Sequence, residues 1–149
     1  MCKKKIAISA CLLGEYCRYD GATKPSVQVI HAFEDYEIIP FCPEAPVLGT
    51  PRERISVIRM ANNVLHVMGD ESGRDVTQHL TFEILRFLKA HPDIDHAVLK
   101  SKSPSCGFGT TPILNSNKEH IALGNGIAAQ LFHERGIRIQ SEQDFDNEA

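Results

Sequence analysis

The sequence predicts an α/β fold, a mostly parallel sheet flanked by helices in a single Rossmann-like domain, with cysteines at the C-terminal ends of strands. Short apolar runs alternate with helical patterns along the chain, which is typical of a parallel-rich α/β domain. The length of 149 residues is that of one ordinary domain. We therefore expect one domain over residues 1–149, with an acidic tail, residues 142–149, that is flexible.

The first half of the chain contains four predicted strands and one predicted helix. Lys5–Ser9 and Glu37–Phe41 are short apolar runs that end in loops and are predicted to be buried strands, with a helix over Val27–Phe33 between them. Ile55–Met60 and Val64–Met68 are separated by an Asn-rich turn and predict a hairpin.

The strongest helical pattern spans Asp75–Lys89. Asp75 and Gln78 have the spacing of a capping box at its start. An apolar stripe at helical spacing follows, formed by Val76, Leu80, Ile84, Phe87 and Leu88. This helix is predicted to pack one face against the sheet.

The last third of the chain continues the alternation. Ile94–Leu99 is predicted to be a strand that leads into a Ser- and Lys-rich loop. A second helix is predicted over Asn125–Arg135, closed by Gly136 at the position after its C-cap, and a last short strand over Ile137–Gln140.

Composition and targeting signals predict a cytoplasmic protein with no membrane partner. The net charge of -3 gives no overall nucleic-acid signature. The apolar run Ile6–Ala10, between the N-terminal lysines and Cys11, is shorter than the roughly 7–15 apolar residues of a signal peptide. No stretch approaches the roughly 20 apolar residues of a membrane span.

Five cysteines occur in the chain, and in a reducing compartment they are not expected to form structural disulfides. They are Cys2, Cys11, Cys17, Cys42 and Cys106. The chain has no CxxC pair, which argues against a zinc ribbon or finger. The cysteines are therefore buried apolar residues, metal ligands or reactive thiols.

Three of these cysteines share a position in the predicted fold. Cys11, Cys42 and Cys106 each follow the C-terminal end of a predicted strand, in loops rich in Gly, Pro and Ser. Ligands of parallel α/β sheets bind beyond the carboxyl ends of the strands. If the three strands are near neighbours, the thiols converge and form a metal or cluster site; packing of small apolar side chains is the alternative.

At these motifs the chain resembles a bacterial family, the thiouracil/thiouridine desulfidases, and in particular its short single-domain branch. The resemblance covers Ile6 to Glu142. It is carried by Ser9–Gly14 (SACLLG), Cys17–Gly21 (CRYDG), Cys42–Glu44 (CPE), Thr50–Arg52 (TPR), Gly73–Thr77 (GRDVT) and Ser103–Gly107 (SPSCG).

The resemblance implies a [4Fe-4S] cluster held by Cys11, Cys42 and Cys106, with the fourth iron open to substrate. It implies an iron–sulfur enzyme that hydrolyses a carbon–sulfur bond. The substrate would be a thiolated pyrimidine, 4-thiouracil or 4-thiouridine, as a base, as a nucleoside or within tRNA. The products would be the oxo base and sulfide.

Glu44 is the candidate general base that activates the attacking water. Pro43 is expected to hold Cys42 in extended geometry. Side chains two apart in an extended segment point the same way, so Glu44 would face the group that Cys42 binds. A surface glutamate or a helix N-terminal charge is the alternative.

Ser103 is the second candidate catalytic residue. It begins the rigid, polar Ser-Pro-Ser-Cys-Gly loop, where a hydroxyl could donate to the substrate or relay a proton to the leaving group. An ordinary turn formed by the serine side chain is the alternative. Ser101 and Ser105 are close enough that the choice among the three serines stays open.

Weaker candidates surround these motifs. Arg52 and Lys100 are expected to contact a phosphate or a ring carbonyl, and Arg18–Asp20 to line the pocket. Two other functions also stay open at this point. One is a non-catalytic iron–sulfur protein with a redox or sulfur-sensing role, and the other is a zinc-binding or metal-free nucleotide-binding protein.

Overall fold

A computed structural model of the chain describes residues 4–14, 25–49 and 52–145. Cys2, Cys17 and the Arg18–Asp20 segment predicted to line the pocket lie outside the described residues. Among the described residues, no helix has the length and apolar character needed to cross a membrane.

The described residues form strands and helices in alternation. The strands are β1 (Lys5–Ser9), β2 (Glu37–Phe41), β3 (Ile55–Arg59), β4 (Leu65–Gly69), β5 (His96–Leu99), β6 (Thr111–Leu114), β7 (His120–Gly124) and β8 (Arg138–Ser141). The helices are α1 (Val27–Ala32), α2 (Glu44–Leu48), α3 (Thr77–Ala90) and α4 (Ile127–Glu134), and short 3-10 turns span Ala10–Leu13 and Glu142–Phe145. Most elements predicted from the sequence are present, with ends shifted by one or two residues.

The predicted parallel sheet is confirmed. Its strand order is β2-β1-β5-β8, and all of its pairs are parallel. β1 pairs with β2 over its whole length, from Lys5 opposite Glu37 to Ser9 opposite Phe41. The carboxyl ends of β1, β2 and β5 therefore meet at one edge of the sheet.

A second sheet, with strand order β4-β3-β6-β7, was predicted only in part. The β3–β4 hairpin is confirmed and antiparallel. β6 and β7 were missed because β6 contains Pro112 and β7 is mostly exposed, so neither resembles an apolar strand. Pro112 points away from the buried side of β6, where Thr111 and Ile113 lie.

The first sheet is buried on both faces, which explains its continuous apolar runs. Ile6, Ile8 and Val98 lie on one face and pack with α1. Ala7, Ala97, Leu99 and the side chains of α3 and α4 form a core on the other face. A third core, between the second sheet and α3, includes Val57, Val67, Val76, Leu80 and Ile113.

Helix α3 begins two residues later than predicted. Asp75 pairs with Met68 as an extended bridge, so it cannot also be the first residue of the helix. Its Oδ1 accepts hydrogen bonds from the backbone N–H of Thr77 at 3.0 Å and from the Thr77 hydroxyl at 2.6 Å. The predicted apolar stripe is confirmed, with Leu80 and Ile84 fully buried.

The first residues of the predicted acidic tail have regular backbone structure. Residues Glu142–Phe145 form a 3-10 turn, and the Phe145 ring packs edge-on against Phe33, with ring centroids 5.5 Å apart. Phe145 packs against the core cluster that contains Phe33, and the flexibility of residues 142–149 stays a prediction. Residues 146–149 lie outside the described residues.

Truncating the core at α4 should destabilise the domain. Phe132 is fully buried, and its ring contacts Phe41 and Phe87. Phe132→Ala is expected to lower the free energy of unfolding by about 3–5 kcal/mol, measured by urea unfolding of the apoprotein. Phe82→Ala is the matched control, because Phe82 is 71% exposed, and it should change the free energy by less than about 0.5 kcal/mol. Equal effects of the two variants would contradict the described core.

Candidate functional site

A cavity of about 440 Å³ lies at the carboxyl edge of the first sheet and extends to the second sheet. β2 follows β1 in the sequence and pairs with one edge of β1, whereas the later strand β5 pairs with the other edge of β1. The crevice beyond such a switch point is where open α/β sheets bind ligands. The cavity is therefore the candidate active site.

The three cysteines predicted to converge do line this cavity. Cys11 lies in the 3-10 turn after β1, Cys42 directly follows β2, and Cys106 lies in the loop after β5. Cys11 and Cys106 are buried, Cys42 is half-buried, and none of the three is in a disulfide. The cavity lining includes no histidine among the residues that the structure describes.

Cys106 is held by its own loop. Its backbone N–H donates to Ser103 Oγ at 3.1 Å, and Ser105 Oγ lies 3.6 Å from its sulfur. Burial, followed by the nearby charges of Glu44 and Cys42, raises the pKa of the Cys106 thiol to about 12. A metal that binds this thiol must therefore displace its proton.

The backbone around Cys42 differs from the prediction. Pro43 has helical angles, φ -76° and ψ -20°, and Glu44 is the first residue of α2. Cys42 Sγ accepts the Ala45 backbone N–H at 3.5 Å, as a side chain does at the start of a helix. The extended-segment argument for the direction of Glu44 is thus wrong, because the chain turns into a helix there.

Glu44 nevertheless faces the cavity, where it is buried. Its Oε1 accepts hydrogen bonds from Arg52 Nε at 3.3 Å and Nη2 at 3.2 Å. Its Oε2 accepts the Ser105 hydroxyl at 2.5 Å. A buried carboxylate paired with arginine at one oxygen and joined to a hydroxyl at the other is positioned to exchange a proton on the hydroxyl side.

The serines of the loop take different roles. Ser103 Oγ accepts the backbone N–H groups of Ser105 at 3.3 Å and Cys106 at 3.1 Å, which is the turn expected as the alternative for this residue. Ser103 Oγ also lies 3.3 Å from Ser105 Oγ. Ser105 donates its hydroxyl proton to Glu44, so Ser103 is the donor in the contact between the two serines. Ser103, Ser105 and Glu44 therefore form one hydrogen-bonded chain.

Ser101 and Lys100 are engaged by Glu142, a residue that the sequence placed in the flexible tail. Glu142 accepts the Ser101 backbone N–H at 2.8 Å and its hydroxyl at 2.6 Å, and lies 3.2 Å from Lys100 Nζ. Burial raises the pKa of Glu142, but the Ser101 hydrogen bonds and the Lys100 charge outweigh this and leave it lowered. Lys100 and Arg52, expected to contact substrate, thus both line the cavity with carboxylate partners.

Gly126 supports the Cys106 loop from behind. Its N–H donates to Gly107 O at 2.8 Å, and the Ala128 N–H donates to Ser105 O at 2.7 Å. A Cβ on Gly126 would lie 2.4 Å from the carbonyl carbon of Ser105. Only glycine permits this approach of backbone to backbone.

The second sheet supplies the remaining wall of the cavity. Arg54, Ser56, Asp70, Pro112 and Leu114 line it. Ser56 Oγ donates to Asp70 Oδ1 at 2.6 Å. Of these residues only Arg54 was noted from the sequence, as a basic residue near the motifs. The others were missed, because the pairing of β3 with β4 and β6 brings them to the cavity.

Fold and site together define a class, an α/β enzyme whose cavity is built from cysteine thiols and a buried carboxylate. Residues 6–144 match the 2-thiouracil desulfurase family, and the chain belongs to that family. It is 30% identical over 152 residues to the protein YbbK of Bacillus subtilis (strain 168), with 95% of this chain and 98% of YbbK covered. Among solved structures it is similar to the [4Fe-4S]-dependent thiouracil desulfidase TudS, with 37% identity, a TM-score of 0.75, and 95% of this chain and 93% of TudS covered.

A methyl group on Gly126 should displace the Cys106 loop. Gly126→Ala places its Cβ against the Ser105 backbone, which has no flexible end to move. We expect a loss of about 1–3 kcal/mol in unfolding free energy and lower iron and sulfide content after anaerobic reconstitution. Wild-type stability together with full iron content would contradict the described packing.

Glu142 should make stability depend on pH. Because its pKa is lowered in the folded state, its contribution is present above the unfolded value near 4.5 and is lost as the pH falls through the folded value. Glu142→Gln should therefore destabilise the apoprotein at about pH 7, and the difference from wild type should shrink below about pH 4. Urea unfolding at both pH values, with the exposed Glu134→Gln as control, measures this. A difference that does not change with pH would disprove the assignment.

Proposed function

We propose that the chain is a [4Fe-4S]-dependent desulfidase that removes sulfur from 4-thiouracil or 4-thiouridine and yields the oxo base and sulfide. One observation carries the proposal: thiols that follow three adjacent parallel strands line the same cavity as a buried carboxylate bonded to a serine. Membership of the 2-thiouracil desulfurase family and the similarity to TudS support it.

The residues present fit the cluster. Cys11, Cys42 and Cys106 would hold it, since thiolates are the usual protein ligands of iron–sulfur clusters. In the described parts of the chain, no three Cys, His, Asp or Glu side chains are grouped to hold a single metal ion. When bound, the cluster supplies an iron without a protein ligand, a Lewis acid with affinity for sulfur.

Glu44 is the proposed general base. Arg52 holds Oε1, so Oε2, which also accepts the Ser105 hydroxyl, is the oxygen that accepts a proton from the attacking water. Water adds its oxygen to the ring carbon, and the proton taken by Glu44 is returned to the sulfur. The carbon–sulfur bond then breaks, sulfur leaves as hydrosulfide, and the proton left on the added oxygen passes to Glu44 as the oxo group forms. No electrons are transferred in this exchange.

Ser103 is proposed to pass a proton toward the departing sulfur. Its hydroxyl is joined to Glu44 through Ser105, so a proton taken by Glu44 can return through the two serines. Ser105 is a necessary member of this relay, although the sequence did not decide which of Ser101, Ser103 and Ser105 acts. Comparing Ser103→Ala with Ser105→Ala tests which hydroxyl is required.

We also propose a cytoplasmic location, because cysteines that hold a cluster as thiolates belong to a reducing compartment. Thiolated tRNA is a further candidate substrate.

A non-catalytic iron–sulfur protein is the alternative function. Such a protein does not need a buried carboxylate joined to hydroxyls, and in the assay it would bind a cluster without turning over any substrate.

The deciding experiment follows the thiocarbonyl absorbance of 4-thiouracil, 4-thiouridine and thiolated tRNA with anaerobically reconstituted protein, and measures the sulfide released. Loss of the band only with cluster-loaded protein is the expected result. A loaded cluster with no turnover of any substrate would point instead to a redox or sensing role. Failure of the protein to assemble any cluster would overturn the proposal.

Replacing the base should slow turnover without removing the cluster. Glu44→Gln keeps the size of the side chain but loses the proton acceptor, and we expect kcat to fall by roughly 100-fold or more. Iron content should match that of wild type. Glu37→Gln, which removes an exposed carboxylate of β2, is the control and should be neutral. Wild-type kcat in Glu44→Gln would exclude Glu44 as the base.

A further inference from the structure

Lys102 has a left-handed backbone conformation, with φ 63°. In a residue other than glycine this conformation brings Cβ close to the carbonyl oxygen that follows, so it costs free energy and persists only where surrounding contacts enforce it. Lys102 lies in the loop after β5, directly before Ser103, and both residues line the cavity. The contacts on either side of Lys102 therefore decide where the Ser103 hydroxyl lies.

Two threonines hold the chain from Lys102 onward. The Lys102 N–H donates to Thr110 Oγ1 at 2.9 Å, and the Thr111 hydroxyl donates to the carbonyl oxygen of Ser103 at 2.6 Å. Thr111 is fully buried and is the first residue of β6. One side of the strained residue is thus tied to the second sheet.

Glu142 holds the chain on the other side of Lys102. Its Oε1 accepts the Ser101 N–H at 2.8 Å, and its Oε2 accepts the Ser101 hydroxyl at 2.6 Å. Lys100 Nζ lies 3.2 Å from the same Oε2 and donates to the carbonyl oxygen of Ser101 at 3.0 Å. Ser101 is therefore fixed at its N–H, its hydroxyl and its carbonyl oxygen, and Glu142 contributes to all three contacts directly or through Lys100.

Glu142 reaches this loop because β8 is parallel to β5. Ser141, the last residue of β8, pairs with Leu99, the last residue of β5, so Glu142 and the loop after β5 leave the sheet at the same edge. The turn that begins at Glu142 ends at Phe145, whose ring packs against Phe33. The fourth parallel strand thus anchors the loop that carries the third cysteine.

The Cys106 end of the same loop has supports of its own. The N–H groups of Gly126 and Ala128 donate to backbone carbonyl oxygens on either side of Cys106. A change of backbone conformation at Lys102 would therefore leave the cysteine in place and move Ser103. The Ser103 hydroxyl would then lose its 3.3 Å contact with the next serine of the relay.

We propose that Glu142 is a positioning residue for the reaction: by fixing Ser101 it keeps Lys102 left-handed and so holds the Ser103 hydroxyl in the proton relay. The inference rests on the proposed function, which assigns the relay to Ser103. Loss of the Glu142 carboxylate should slow the chemical step without removing the cluster.

The first test replaces Glu142 by alanine and uses cluster-loaded protein. Glu142→Ala is expected to lower kcat about tenfold and to leave KM and the iron and sulfide content near wild type, because the relay is displaced while the thiols stay in place. Asp75→Ala is the matched control, since Asp75 also accepts the N–H and hydroxyl of one residue, Thr77, but at the start of α3 and not in this loop. An equal fall of kcat in both variants, or a loss of iron in step with kcat, would overturn the proposal.

The second test separates backbone strain from side-chain charge at Lys102. Glycine adopts positive φ as readily as negative φ, whereas alanine does not, and both replacements remove the ammonium group. In the Glu142→Ala background, Lys102→Gly should therefore give a kcat severalfold higher than Lys102→Ala. Equal kcat values in the two double variants would show that the left-handed backbone has no part in positioning Ser103.

Amide hydrogen exchange of the full-length apoprotein, resolved by residue, provides a readout that does not need turnover. Glu142→Ala should speed exchange of the Lys102 and Cys106 N–H groups about tenfold relative to Asp75→Ala, because these groups donate to Thr110 and Ser103. Unchanged exchange overturns the role of Glu142 even if desulfuration occurs. Faster exchange in Glu142→Ala, with no turnover of any thiolated pyrimidine by loaded wild type, instead overturns the proposed function and leaves the anchoring of the loop standing.

Discussion

The parallel pairing of β1 with β2 on one side and with β5 on the other is the constraint on which the site depends. Parallel strands end at the same edge of a sheet, so the loops that follow these three strands begin side by side. Cys11, Cys42 and Cys106 lie in those loops, which makes the convergence of the thiols a property of the topology. The buried faces of β1 and β5 fix the register, because a slip by one residue would exchange the two cores on either side of the sheet.

Charges at this edge are stabilised by contacts from distant parts of the chain. Glu44 is paired with Arg52, and Glu142 is bonded to Ser101 and lies beside Lys100. Buried charges of this kind are tolerated only when paired and hydrogen-bonded, since removing them from water is costly. Within the described residues, no buried side-chain nitrogen or oxygen lacks a hydrogen-bond partner. The network holds the loop of the third cysteine in one arrangement, and it leaves the Glu44–Ser105 contact as the place where a proton can move.

Local patterns in the sequence were sufficient for the first sheet, its helices and the three cysteines at strand ends. They were insufficient wherever a contact joins residues far apart in the chain. Glu142 resembles a residue of a solvated acidic tail until β8 pairs with β5 and brings it to Ser101. Ser105 could not be separated from Ser103 by sequence, because the difference lies in which hydroxyl meets Glu44. Glu44 was proposed as the base because an extended segment would direct its side chain toward the cavity. The helix that begins at Glu44 excludes that geometry, and Glu44 instead faces the cavity where it pairs with Arg52.

The two sheets divide the requirements of a desulfidase between them. The loops at the carboxyl edge of the first sheet supply the thiols and the hydrogen-bonded chain from Glu44 through Ser105 to Ser103. The second sheet contributes a wall that includes Ser56 and Asp70, whose side chains are hydrogen-bonded to each other. The cysteines and Glu44 lie in local sequence motifs, whereas the second-sheet wall is assembled by strand pairing. The motifs therefore predict a desulfidase but do not distinguish a base from a nucleoside.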